Sequence, residues 1–143
     1  MAYEGTANID LPKSKIEGLN FSFSGIKTAV INLHHKNPEI NKADLCASFE
    51  KVTTEMLIDN VKKAIDKTNM KKVVLAGGVS ANSYIRKQFK ELGEKEKIKI
   101  YYPELSLCTD NAAMIAVAGY YEYISGKKSE LSLNAIPNLK LGE

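Results

Sequence analysis

Val73-Val-Leu-Ala-Gly-Gly-Val-Ser-Ala-Asn82 is the stretch on which the fold turns. Its first four residues form a short continuous apolar run, which suits a strand buried on both faces of a parallel sheet. Gly77 and Gly78 stop that strand, and Ser80 or Asn82 can then cap a helix through a side-chain oxygen. The helix so opened carries Ile85, Phe89 and Leu92 as an i, i+4, i+7 stripe ending near Gly93, with Arg86, Lys87 and Lys90 on its other face. Ile98-Lys-Ile-Tyr-Tyr102, closed by Pro103, reads as a second strand. Strand, helix and strand within about thirty residues make a right-handed crossover unit, so the sheet is at least partly parallel and the fold class is α/β.

Upstream, Leu45, Phe49, Val52, Met56, Val61, Ala64 and Ile65 recur mostly three or four residues apart. That periodicity predicts one long amphipathic helix from Ala43 to about Thr68. Phe21-Ser-Phe-Ser24 alternates apolar and polar residues as a strand would, ends at Gly25, and leads into a helix over Ile26–Leu33 that Pro38 closes off. Residues 1–20 show no sustained period and read as irregular chain, an abrupt opening that suggests a fragment. Downstream, Thr109 or Asp110 can cap a helix over Asn111–Ile124, whose Ala112, Ala113, Ala116, Ala118 and Gly119 allow close approach of a neighbour. The expected organisation is an irregular segment 1–20, a lobe over 21–125 and a peripheral tail over 126–143, with no internal repeat.

The bulk properties set mild bounds. A chain of 143 residues, 44% hydrophobic, suffices for one compact domain that buries roughly two-thirds of its unfolded surface. Twenty basic against seventeen acidic residues leave a net charge of +3, which neither demands nor excludes RNA. Cys46 and Cys108 lie far apart and have no C-x-x-C partner, so neither a zinc knuckle nor a disulfide framework is indicated and a reducing cytosol fits. No apolar run approaches the ~18 residues of a membrane span, and the N-terminus lacks the pattern of a secretory leader. A soluble, cytoplasmic protein with no membrane partner is the expectation.

The candidate site residues each admit a plain reading. At Gly77-Gly78-Val79-Ser80 the lack of Cβ atoms would let a ligand touch the backbone, with free N–H groups facing a phosphate, but a tight turn without ligand reads equally well. Asn82 can donate an amide N–H to a phosphate or ribose oxygen, or serve only as a cap. Asp110 can cap a helix or offer a hard oxygen to a metal. His34 and His35, the only histidines, point about 100° apart on a helix and do not converge as ligands at i, i+4 would. Gly25-Ile-Lys-Thr28 is similar to the end of a Walker loop but lacks the upstream glycine, so that reading is rejected. Lys27, Lys71, Lys72, Arg86, Lys87 and Lys90 could contribute to an RNA surface or form a solvated face. No Ser-His-Asp or Cys-His set can be assembled.

Three segments together carry a family resemblance: Phe21-Ser-Phe-Ser-Gly-Ile-Lys-Thr-Ala29, Val74-Leu-Ala-Gly-Gly-Val-Ser-Ala-Asn82 with Ile85-Arg86, and Cys108-Thr-Asp-Asn-Ala-Ala-Met-Ile-Ala116. In this order and spacing, over residues 20 to 121, the chain resembles the bacterial branch of the tRNA threonylcarbamoyltransferases, once described as O-sialoglycoprotein endopeptidases or glycoproteases. The resemblance implies an actin-like fold of the sugar kinase and Hsp70 superfamily, with this chain as most of the second, ribonuclease-H-like lobe, a mixed sheet flanked by helices. It implies transfer of a threonylcarbamoyl group from an adenylate to the exocyclic amine of the adenosine that follows the anticodon.

Carried over by residue, Asn82, Gly77 and Gly78 match the family's adenylate contacts, and Asp110 matches a ligand of its iron or zinc ion. tRNA, a shorter actin-like paralogue and a small ATPase are the implied partners. The departure is large: the family's His-x-x-x-His pair and first-lobe phosphate loop have no counterpart here, and His34-His35 cannot replace the pair. The isolated chain is therefore expected to have at most a crippled nucleotide site and no transferase activity. Two other classes compete: a nucleotide- or partner-binding actin-like module without chemistry, and a metalloprotease, which lacks H-E-x-x-H support.

Overall fold

Residues 1–14 and 16–140 are described by the structure, a computed structural model. In chain order it has α1 (Ser24–Lys36), α2 (Lys42–Thr68), β1 (Lys72–Val74), α3 (Ser83–Glu96), β2 (Lys99–Tyr101) and α4 (Ala112–Ile124). The chain gathers into two units, Met1–Cys108 and a second that begins at Thr109.

The first unit is organised by α2. Its 27 residues contain neither glycine nor proline, so nothing interrupts a helix about 40 Å long. Asn41 Oδ1 accepts from the backbone N–H groups of Ala43 and Asp44 at 2.9 and 3.3 Å, which satisfies two of the four orphan donors at the start. At the other end Asn69 turns left-handed at φ 54°, and its N–H closes on the Ile65 carbonyl. Leu45, Val52 and Met56 pack with Leu11 and Ile26 in one core, flanked by Ile9, Val30, Leu33 and Ile40. Leu57, Ile58, Val61 and Ile65 pack against a second core built on Ile85, Phe89, Leu92 and Ile98. The expected long helix is therefore present, and it serves two cores at once.

The irregular N-terminal segment is anchored along this helix in step with it. Thr6 N–H donates to Asp44 Oδ1 at 2.7 Å, Ile9 N–H to Ser48 Oγ at 3.0 Å, Lys13 pairs with Glu55 at 2.8 Å, and Asn60 Nδ2 donates to the carbonyls of Leu19 and Asn20. Hydrogen bonding to the Glu55 carboxylate raises the Lys13 ammonium above its ordinary pKa, outweighing the opposing effect of burial. Gly5 lies so close to the start of α2 that a Cβ would overlap the Ala43 carbonyl.

β1 and β2 pair in parallel with Val73 opposite Ile100, and α3 connects them, as the crossover reading required. Among the described residues the sheet has these two strands alone and is purely parallel, so a mixed sheet is not seen. Burial on both faces is not seen either. Val73, Leu75 and Ile100 face the second core, while Val74 is 70% exposed, because the pleat alternates side chains and α2 and α3 cover one face only.

Two further expectations change. Phe21–Ser24 forms no strand: it finds no partner strand, Phe21 and Phe23 stack with ring centres 5.9 Å apart, and α1 already begins at Ser24. α3 does not stop near Gly93 but continues to Glu96, ending on a left-handed Lys97 at φ 54°. Gly93 instead serves close packing, since a Cβ there would meet Ile100 Cγ1 at 2.9 Å and the Ile98 carbonyl oxygen at 3.0 Å.

In the second unit, α4 is capped by Asn111, whose Oδ1 accepts from Met114 N–H at 3.0 Å, and not by Thr109 or Asp110. Asn111 wins because its backbone is extended at φ −151° and its side chain reaches the donor three residues on. Among the described residues no helix is long and apolar enough to cross a membrane.

Replacing Phe89, which is 2% exposed, by alanine is expected to lower unfolding free energy by about 3–5 kcal/mol in urea denaturation. Gly5→Ala is expected to cost about 1–3 kcal/mol in the same measurement, because the helix backbone it meets cannot rotate away as a side chain could.

Candidate functional site

β1 is prolonged by a bond from Leu75 N–H to the Tyr101 carbonyl, and the chain then swings out at Gly77, φ 85° and ψ 169°. Only glycine adopts that backbone without strain, and nothing lies within 4 Å of the place a Cβ would take. Gly78–Ala81 coil into a 3₁₀ turn closed by Ser80 N–H on the Gly77 carbonyl and Asn82 N–H on the Val79 carbonyl. Two amides that could have faced a ligand are thus engaged inside the turn.

Asn82 ends the turn and starts α3. Its Oδ1 accepts from Ile85 N–H at 2.9 Å, so the cap is real, whereas Ser80 is buried within the turn. Its Nδ2 donates to Glu50 Oε1 of α2 at 2.7 Å. Nothing in the local sequence points to Glu50, which lies 32 residues upstream and is just one of several polar positions on α2. The same junction is acidic: burial first, then the carboxylates of Glu55, Glu50 and Glu91, raise the Tyr84 phenol above its ordinary pKa, so it stays protonated at neutral pH.

Glu50 also lines an open groove of about 860 Å³ between α1 and α2, together with Phe23, Ser24, Lys27 and Phe49. Glu50 thus bonds Asn82 of the Val74–Asn82 segment and lines the same groove as Phe23, Ser24 and Lys27 of the Phe21–Ala29 segment.

Arg86 departs from the reading as a solvated or RNA-facing cation. Its Nε donates to the Ser80 carbonyl at 2.6 Å, and Nη2 donates to the Pro103 carbonyl at 2.8 Å and to Cys108 Sγ at 3.0 Å. The guanidinium stands 4.7 Å over the Tyr102 ring. A planar fork of five donors is suited to gather groups from separate loops, and here it clasps the glycine turn to the segment after β2. Lys27, Lys71, Lys72, Lys87 and Lys90 remain exposed.

Asp110 is exposed and belongs to the second unit. His34 and His35 sit side by side in the last turn of α1. Among the described residues no three His, Cys, Asp or Glu side chains come together, and one carboxylate does not make a site for iron or zinc, which needs three or more protein donors. The residues present do not fit a complete metal centre.

The family model for tRNA N6-adenosine threonylcarbamoyltransferase matches residues 1–117. Curated relatives of that name include one from Clostridium novyi, 49% identical over 148 aligned positions that take in 98% of this chain and 43% of the relative. Another, from Carboxydothermus hydrogenoformans, is 50% identical over 129 positions, 90% of this chain and 39% of its own length. A third, from Clostridium perfringens, is 48% identical over 150 positions and covers all of this chain, but that is 44% of the relative. The chain spans less than half the length of these relatives. With the glycine turn, its Asn82 cap and the Arg86 clasp all inside the matched residues, the chain belongs to the tRNA N6-adenosine threonylcarbamoyltransferase family.

Proposed function

We propose that this chain is the second-lobe part of a cytoplasmic tRNA-modifying transferase with an actin-like fold. The observation that carries the reading is the turn from Gly77 to Asn82, open on one side and set between a parallel strand and a capped helix in a chain of this family. In the reaction the exocyclic amine of the adenosine following the anticodon attacks the threonylcarbamoyl carbon. A C–N bond forms, the bond from that carbon to the adenylate phosphate oxygen breaks, AMP departs and the amine loses a proton.

Within that scheme the chain's own residues bind and orient. Gly77 and Gly78 let the adenylate approach the backbone, and the second Nδ2–H of Asn82 is a donor for a phosphate or ribose oxygen. Asp110 supplies one oxygen donor toward an iron or zinc ion whose other ligands come from outside this chain. tRNA, a shorter actin-like paralogue and a small ATPase are the proposed partners, supported by the family resemblance.

The chain alone is expected to show no threonylcarbamoyl transfer, and transfer is expected when the missing first lobe, tRNA and threonylcarbamoyl adenylate are added; no modified adenosine from a folded mixture would sink the reading. In that mixture Asn82→Ser retains a capping oxygen but gives up the bond to Glu50, so the chain should stay folded with its stability lowered by about 1.5–3 kcal/mol. It should nonetheless cut transfer ten- to hundredfold, since a hydrogen bond to a charged group is worth about 1.5–3 kcal/mol. Asp110→Ala is expected to lower iron or zinc content of the reassembled protein, read by elemental analysis; unchanged metal would remove Asp110 from the ligand set.

A further inference from the structure

We propose that Glu50 is a positioning residue: it aims the Asn82 amide so that one N–H is left for the ligand. The role rests on the nucleotide reading above. An asparagine amide has two donor hydrogens and one acceptor oxygen. Oδ1 is taken by Ile85 N–H at 2.9 Å and one hydrogen of Nδ2 by Glu50 Oε1 at 2.7 Å. Bonds at opposite ends of the group hold both side-chain torsions, and they leave the second N–H in a single direction. The cap bond alone would hold the oxygen end only.

Glu50 is well mounted for such a task. It stands in the N-terminal half of α2, within the stretch from Leu45 to Met56 that packs into the first core, and its backbone carbonyl accepts from both Thr53 Oγ1 at 3.1 Å and Thr54 Oγ1 at 2.7 Å. A group that holds a ligand contact is most effective on a rigid element, with its own position set by packing. The negative charge of Glu50 is not the useful property, since it opposes an anionic ligand; the acceptor oxygen is. Glutamine at this position supplies the same acceptor without the charge, and alanine supplies neither.

That difference gives the test. The chain, labelled with ¹⁵N and mixed with the unlabelled missing first lobe, is titrated with AMP while the Asn82 side-chain amide pair is followed by NMR, for the unaltered protein, Glu50→Gln and Glu50→Ala, alongside thermal melts. The unaltered protein and Glu50→Gln should share the Asn82 amide signals and bind AMP within about twofold of one another. Glu50→Ala should shift those signals and weaken AMP about tenfold, the worth of one well-placed hydrogen bond, without loss of the folded state. Unshifted signals and unchanged AMP affinity in Glu50→Ala would overturn the role of Glu50 alone. Equal weakening by Glu50→Gln and Glu50→Ala would also overturn it, since charge and not the acceptor would then matter. No AMP response in the unaltered protein would overturn the nucleotide reading, and the Glu50 role with it.

Discussion

The rest of the first unit depends on α2 being continuous. A helix about 40 Å long can present different stretches of one apolar stripe to different neighbours. Here Leu45 to Met56 serve the core shared with α1 and the N-terminal segment, and Leu57 to Ile65 serve the core under α3 and the two strands. Neither core is large, and each borrows rigidity from the other through a backbone without a glycine or proline hinge. The polar contacts follow the same logic: Asp44, Ser48 and Glu55 recur at helical spacing, and with Asn60 they hold Thr6, Ile9, Lys13, Leu19 and Asn20 beside the helix.

The glycine turn inherits its geometry from that spine. A left-handed glycine and a 3₁₀ turn are locally adaptable, and on their own would not hold a side chain to better than a rotamer. Asn82 is held because one end of its amide belongs to α3 and the other to α2. Arg86 adds a second restraint on the turn, joining the Ser80 carbonyl to Pro103 and Cys108. Cap and ligand donor are thus compatible roles for Asn82, since the cap uses the oxygen and leaves the nitrogen.

Asn82 and the glycines stand in one unit and Asp110 in the other, and the relatives are more than twice as long as this chain. An exposed Val74 and the open groove beside Phe23 and Phe49 are apolar surface of the kind that other elements cover in a larger molecule.

Elements whose signal is local and periodic can be read from the unfolded chain. The 3.6-residue stripe of α2, the Ile85, Phe89, Leu92 face of α3 and the strand–glycine–helix passage at Val73–Asn82 were legible because each is imposed by neighbours a few residues apart. Its three motifs likewise sufficed to indicate the family. Other features take their form from contacts made when the chain folds. Phe21–Ser24 alternates like a strand, but alternation becomes a strand only beside a partner, and none is there among the described residues. Gly93 looks like a helix stop, yet its missing Cβ makes room for Ile100. Arg86 reads as a surface cation until three acceptors from two separate segments close around it, and Glu50 carries no mark at all until Asn82 is brought to it. For Gly93, Arg86 and Glu50 the deciding partner lies outside any local repeat, and a hydrogen bond or a packing contact has no existence before the chain has folded to bring its two halves together.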